Sequence, residues 1–189
     1  MKQQIIKCQL YAADGNNKEL TASFDYIEAL TWRNLQYYIS TSIVTAQKFA
    51  SVSARKASLG ENIETKPLVR YRGKKYTFTE VARKIDKNLV KNGAMVVTDP
   101  NGEEYVISSY DKFKNKYKLS GDKYVPISEP LRFIKVTKNL CFNNNGSLVF
   151  VPQGSYLCLD DITRSITNIA FETTYNILKT ARVGKTFVD

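Results

Sequence analysis

No histidine occurs anywhere in the 189 residues. Histidine-based triads, imidazole metal sites and imidazole acid–base work are therefore excluded. Cysteine is scarce: Cys8, Cys141 and Cys158 are odd in number, lie far apart and have apolar or aromatic neighbours. That pattern fits buried thiols in a reducing compartment better than a disulfide framework. Without a C-x-x-C pair, a cysteine metal site is excluded too. No apolar run reaches the length of a spanning helix, and the apolar stretch in the opening "MKQQIIKCQLYAADG" is too short for a signal peptide. The sequence therefore predicts no metal, no cofactor and no membrane partner.

What is present is an ordinary globular composition. A chain that is 43% hydrophobic and 24% charged is not disordered along its length. Its length suits one large domain or two to three small modules. Twelve Tyr and nine Phe favour β structure and contact surfaces. The net charge of +10 serves solubility or points to an acidic partner, either nucleic acid or an acidic protein surface.

Along the chain, Ile6, Cys8, Leu10 and Ala12 alternate, "DGNN" tolerates positive φ, and Leu20, Ala22 and Phe24 alternate on the return. Residues 1–24 thus read as a β-hairpin. Over 25–59, Trp32, Leu35, Ile39, Ala46 and Ala50 fall near one helical face with Gly60 as a stop, which predicts a helical segment. The β-branched run "ISTSIVT" (39–45) resists a helix and leaves a strand open there. "GENIETKP" marks a boundary, and "YRGKKYTF" predicts a tight hairpin. "TEVARKIDKNLVKNG" predicts a helix capped by Thr79, striped by Val81, Ile85 and Leu89, and ended by Gly93. "AMVVTDPNGEEYVIS" is the clearest hairpin, with its turn at "DPNG". "SGDKYVPISEP" marks a second boundary. Strands around 132–137 and 147–151, another over "SYLCL", and a helix from about Asn168 to Thr180 complete the expectation.

One phrase is spoken twice. "NGAMVVTDPNGEEYVISSYDKFKNKY" aligns with "QGSYLCLDDITRSITNIAFETTY", Gly93 against Gly154 and Met95-Val96-Val97 against the run from Tyr156 to Leu159. Phe113 and Tyr117 fall opposite Phe171 and Tyr175. A spacing of four puts two rings on one face of a short helix. A glycine ahead of a strand suits a sharp entry without a Cβ. The repeated phrase therefore reads as a packing unit.

No residue pattern carries catalysis. "GKT" at 184–186 lacks the earlier glycine of a phosphate loop, because Lys179 stands in its place. Glu103-Glu104 and Asp160-Asp161 are adjacent pairs, which point opposite ways on a strand. "DPNGEE" lacks the alternating oxygen ligands of a calcium loop. Lys112, Lys114, Lys116 and Lys118 would form a cationic stripe on a strand, but a helix there scatters them. Arg70, Arg72, Lys74 and Lys75 remain as the candidate contact for nucleic acid or an acidic partner, interleaved with Tyr71, Tyr76 and Phe78. The same mixture is also what an exposed hairpin over a core shows.

The motifs "GAMVVT…GEEYVI…FKNKY" and, more loosely, "GSYLCLDD…ITNIAFETTY" resemble small proteins of tailed phages and prophages. Those proteins carry a glycine-entered strand, a turn, a second strand and a closing F-x-x-x-Y. The linker "PISEPLRFIKVTKNLCFNNNG" matches as well, so the resemblance spans roughly residues 90–180. Ala94 and Ser155 stand where Asp or Gly is usual, and the typical D/N-G-E turn is present only in the first copy. The resemblance implies a phage origin and brings no activity with it.

The combined expectation is a β-rich α+β chain. An N-terminal hairpin and helical segment (1–64) precede two tandem β-rich modules (65–121 and 122–189), each closed by a short helix. The expected role is a non-enzymatic structural or interaction protein in the virion or host cytoplasm. It would contact other proteins, phage proteins among them, in an oligomeric assembly. The alternative is a small basic nucleic-acid-binding or host-takeover protein.

Overall fold

The computed structural model describes residues 4–15 and 18–182. Strands take 54% of these positions against 13% in four helices, a β-rich α+β chain. The first alternating segments form β1 (Ile5–Ala12) and β2 (Glu19–Tyr26), antiparallel from Ile5 opposite Asp25 to Tyr11 opposite Glu19. Residues 16 and 17 of the expected "DGNN" turn lie outside the described residues. Alternation sends Leu10, Ala22 and Phe24 to the buried face.

The helix expected over 25–59 does not form. A single turn, α1 (Trp32–Leu35), is capped by Thr31, whose hydroxyl accepts from the Asn34 N–H at 3.1 Å. The ten-residue strand β3 (Ile39–Lys48) follows. The β-branched run decides the matter, because Ile, Thr and Val lose rotamer freedom in a helix and pack well on a pleated surface. Two short strands, β4 (Ser53–Lys56) and β5 (Asn62–Thr65), come next.

"YRGKKYTF" forms the expected hairpin of β6 (Leu68–Tyr71) and β7 (Lys74–Thr77). Its turn residues Arg72 and Gly73 have φ of +51° and +77°, the double left-handed turn that matches strand twist. The helix expected from Thr79 is shorter and later. Residues Val81–Lys84 are strand β8, paired with β5, and α2 (Lys87–Lys91) is capped by Asp86, which accepts from the Leu89 N–H at 2.9 Å. Ile85 and Leu89 are buried as the stripe required, but Val81 is exposed. A four-residue spacing fits a strand exit followed by a helix as well as one long helix.

β9 (Met95–Thr98) and β10 (Glu104–Ile107) form the hairpin over "DPNG". Helix α3 (Tyr110–Lys116) then leads into β11 (Tyr117–Ser120) and β12 (Lys123–Pro126). The line drawn at 121/122 therefore falls inside a hairpin turn, and the line at 64/65 falls inside β5. The rest of the chain supplies β13 (Leu131–Val136), β14 (Leu140–Asn144), β15 (Ser147–Val151), β16 (Tyr156–Cys158) and β17 (Asp161–Ile166). Helix α4 (Asn168–Thr174) ends earlier than expected, and β18 (Tyr175–Arg182) replaces its second half. Ile177 and Thr180 are β-branched, and β18 pairs along β3 from Tyr175 opposite Lys48 to Arg182 opposite Ser42, with one irregularity between Ile177 and Lys179.

Two sheets matter most. One has the order β17-β16-β13-β3-β18, so β3 from the N-terminal segment sits inside a sheet otherwise built from residues 131–182. The other has the order β10-β9-β4, and a bridge from Val52 to Tyr124 links it to the β11–β12 pair. A six-stranded sheet, β15-β14-β2-β1-β7-β6, and the β5–β8 ribbon complete the described strands.

Each of the two principal sheets is apolar on both faces. In the first, Phe133 and Cys158 pack with Phe171 and Tyr175 of the α4 side, whereas Ile134 and Leu157 pack with Leu140 and Val151 on the opposite side. In the second, Val97 packs with Phe113 and Tyr117, and Val96 with Ile63 and Ile85. Burial on both faces explains the continuous apolar runs "MVV" (95–97) and "FI" (133–134), where alternation is lost. The ring couples sit at the centre. Phe113 and Tyr117 stack at 5.7 Å, Phe171 and Tyr175 at 5.1 Å, and all four rings are buried. Burying each such Phe contributes roughly 1.5–3 kcal/mol.

Candidate functional site

Side chains from six elements meet in one cleft. Lys48 closes β3, Tyr117 opens β11, Tyr175 opens β18, Lys116 ends α3, Tyr105 lies on β10 and Arg164 on β17. Together they border an opening of about 490 Å³; Lys48, Tyr105, Arg164 and Tyr175 also line a second pocket of about 280 Å³, together with Asp99 and Glu103. The cleft thus lies between the two principal sheets, at the places where helix passes into strand.

Its polar floor is held in place. Lys48 Nζ donates to Tyr117 Oη at 2.8 Å and stands 5.3 Å and 5.6 Å from the ring centroids of Tyr117 and Tyr105, within cation–π range. The Tyr105 and Tyr117 hydroxyls are hydrogen-bonded to each other. Arg164 Nη2 donates to Tyr175 Oη at 3.1 Å, and Ser128 Oγ donates to the Lys48 carbonyl at 2.6 Å.

Burial shapes the protonation of this cluster. Burial first, then Asp99 and Glu80 nearby and a hydrogen bond to Asp99, push the Glu103 carboxyl up to about 8, with partial relief from Lys48. The Tyr105 phenol is pushed well above its ordinary value by burial, by Tyr117 and by the same carboxylates. The Lys116 ammonium is lowered by partial burial and then by the charges of Arg164, Lys48 and Lys112. At neutral pH Glu103 is therefore largely uncharged, and the upper cleft is cationic.

Among the described residues, no group of three or more Cys, Asp or Glu side chains is arranged to hold a metal ion. In "DPNGEE", Asp99 Oδ1 accepts the Asn101 and Glu103 N–H groups at 2.9 Å and 3.0 Å, which is turn chemistry. Compared with family models, curated proteins and solved structures, the chain matches none.

The four basic candidates do not share one face. Arg70 lies opposite Lys75, Tyr71 lies opposite Lys74, and consecutive pairs project to opposite sides. Arg70 is paired with Glu172 at 3.0 Å, and Arg72 stacks over the Tyr71 ring at 5.2 Å. Lys74 and Lys75, with Lys18, border a separate pocket of about 590 Å³. Phe78 is buried, and Tyr71 and Tyr76 pack against the same core, so the interleaved rings face inward. Lys112, Lys114 and Lys116 lie on α3 and Lys118 on β11, so the stripe is scattered.

The acidic pairs also diverge. Glu103 turns to the cleft while Glu104 lies 4.0 Å from Arg55; Asp160 pairs with Arg132, and Asp161 accepts from Thr163. "GKT" lies outside the described residues. The cleft itself escaped sequence reasoning. Tyr117 and Tyr175 were legible as ring positions, but Lys48, Lys116 and Arg164 converge only through pairings between segments far apart in the chain.

Proposed function

We propose that the chain is a phage-encoded structural or interaction protein, built from two equivalent modules, that works by protein–protein contact and not by catalysis. The succession glycine, strand, strand, helix, strand runs from Gly93 through β11 and again from Gly154 through β18. An added Cβ on Gly93 would lie 2.9 Å from Tyr110 Cβ, and one on Gly154 would lie 2.8 Å from Asn168 Nδ2. Tyr110 and Asn168 are the first residues of α3 and α4. The carbonyl that follows each glycine receives a backbone N–H from the neighbouring strand, Ala57 to Ala94 at 2.9 Å and Val136 to Ser155 at 2.7 Å. These parallels support the tandem reading, and the phage origin rests on the motif resemblance.

The observation that carries the contact reading is the edge strand β18. It ends its sheet, every residue from Asn176 to Arg182 is exposed, and Ile177 and Leu178 are 53% and 56% exposed. An open edge with apolar side chains is a template for strand addition by a partner protein. A photo-crosslinking residue placed at Leu178 should yield one defined adduct with a phage protein or a second copy, and particle mass spectrometry should find the chain in purified virions. A strictly monomeric chain, without an adduct and missing from particles, overturns the reading.

The nucleic-acid alternative draws on the net charge and on the pocket bordered by Lys18, Lys74 and Lys75. With Arg70 paired and the neighbouring rings packed against the core, it has fewer groups to offer phosphates or bases. Mobility shifts at low and moderate salt, with K74A/K75A as the comparison, test it directly.

A further inference from the structure

The cleft between the sheets has a charge pattern that the contact role does not use. Three cations, Lys48, Lys116 and Arg164, border the 490 Å³ opening, where Glu129 is the one carboxylate; Glu80, Asp99 and Glu103 line the adjoining pocket. Among the described residues none of the three cations is in an ion pair, whereas Arg55, Lys66, Arg70, Lys114 and Arg132 all are. Cations of a folded chain normally disperse or find carboxylates, because like charges brought together repel. Here Lys48 is fixed by a hydroxyl and two ring faces, and Arg164 by another hydroxyl. Both positive charges are positioned without being neutralised.

We propose that this cleft binds a small phosphate-bearing molecule, its phosphoryl oxygens held by Arg164, Lys116 and Lys48 and its remainder lying along Tyr175, Ile127 and Leu131. The volume lies in the range of small-ligand sites, and such sites combine apolar walls with a few fixed polar groups. A guanidinium fork with two ammonium groups is the set that recognises phosphoryl oxygens. The neutral state of Glu103 at pH 7 supports this, since it leaves the charge of Lys48 available.

The test is calorimetric titration of the full chain with inorganic phosphate, pyrophosphate and adenosine monophosphate at low salt. Saturable one-to-one binding of at least one probe is expected, with Kd below about 1 mM. The K116A/R164A variant, whose altered side chains are exposed, should bind at least about tenfold more weakly, as expected for lost charge-assisted hydrogen bonds. R83A/K84A, which removes the same net charge from β8, should bind as the unaltered chain does. Tighter binding of the monophosphate than of inorganic phosphate assigns a nucleotide, and the reverse order assigns a free phosphate; either order supports the site. No saturable binding of any probe, or equal weakening in both double variants, overturns it.

Discussion

At Gly154 two constraints coincide. Its φ is +89°, and a Cβ there would meet the Asn168 amide at 2.8 Å. At Gly121 φ is +66° but no atom lies within 4 Å of the same position. G121A therefore carries only the left-handed penalty of about 1–2 kcal/mol, while G154A adds the overlap, about 1–3 kcal/mol more. Urea midpoints of the two variants should separate accordingly. Glu103 gives a pH signature at the same scale. Its carboxyl is pushed up to about 8 by burial, by Asp99 and Glu80 and by a hydrogen bond to Asp99, with Lys48 opposing and Tyr105 nearby. The folded chain then keeps a proton that the unfolded chain has released above about pH 4.3. This contribution to stability is fully present below the unfolded value and is lost as pH rises through about 8. Denaturation midpoints should fall between about pH 5 and pH 9, and E103Q should flatten that fall. An equal slope in E103Q would refute the assignment.

Among the elements, the join between the β6–β7 hairpin and α4 shows which contacts matter. Asn168 Oδ1 accepts the Arg70 N–H at 2.8 Å, its Nδ2 donates to the Arg70 carbonyl at 2.9 Å, and Thr167 Oγ1 donates to the Leu68 carbonyl at 2.7 Å. Asn168 is buried, so N168A strands two backbone groups of β6 and should cost about 1–3 kcal/mol. The nearby Arg70–Glu172 pair is about half exposed on both sides, so R70A should cost only about 0–1 kcal/mol. Faster hydrogen exchange at the Arg70 amide in N168A would locate the loss; unchanged exchange would place it elsewhere. This scale also marks how far the sequence could be read. Hairpins with a strong local turn, "RG" at 72–73 and "DPNG" at 99–102, were legible because turn and alternation agree. In the segment from Thr79 a four-residue apolar spacing serves a strand exit and a helix start equally. In β18 a distant ladder partner settled the choice, and in β3 such partners reinforce what the β-branched run already favours. Nothing local encodes that partner, and the cleft that those strands create was hidden with it.

For the molecule as a whole, β3 matters most. It separates β13 from β18 in the first principal sheet, yet it belongs to the N-terminal third of the chain. Trp32, the sole tryptophan, packs against the cluster on one face of that sheet, where Ile39, Ile134 and Leu157 meet. Phe171 lies in the cluster on the other face with Ala46 and Phe133. A shared sheet transmits loss on one face to the other, because Phe133 and Ile134 are neighbours on one strand. F171A opens a cavity in a buried ring stack and should cost about 3–5 kcal/mol. If the sheet unfolds as one unit, the Trp32 fluorescence midpoint in F171A should fall in step with the far-ultraviolet signal, although Trp32 and Phe171 belong to different clusters. A Trp32 midpoint that stays in place while the far-ultraviolet signal splits into two transitions would mean that the N-terminal segment folds by itself. In that case β3 would be an attachment to that sheet and not its structural centre.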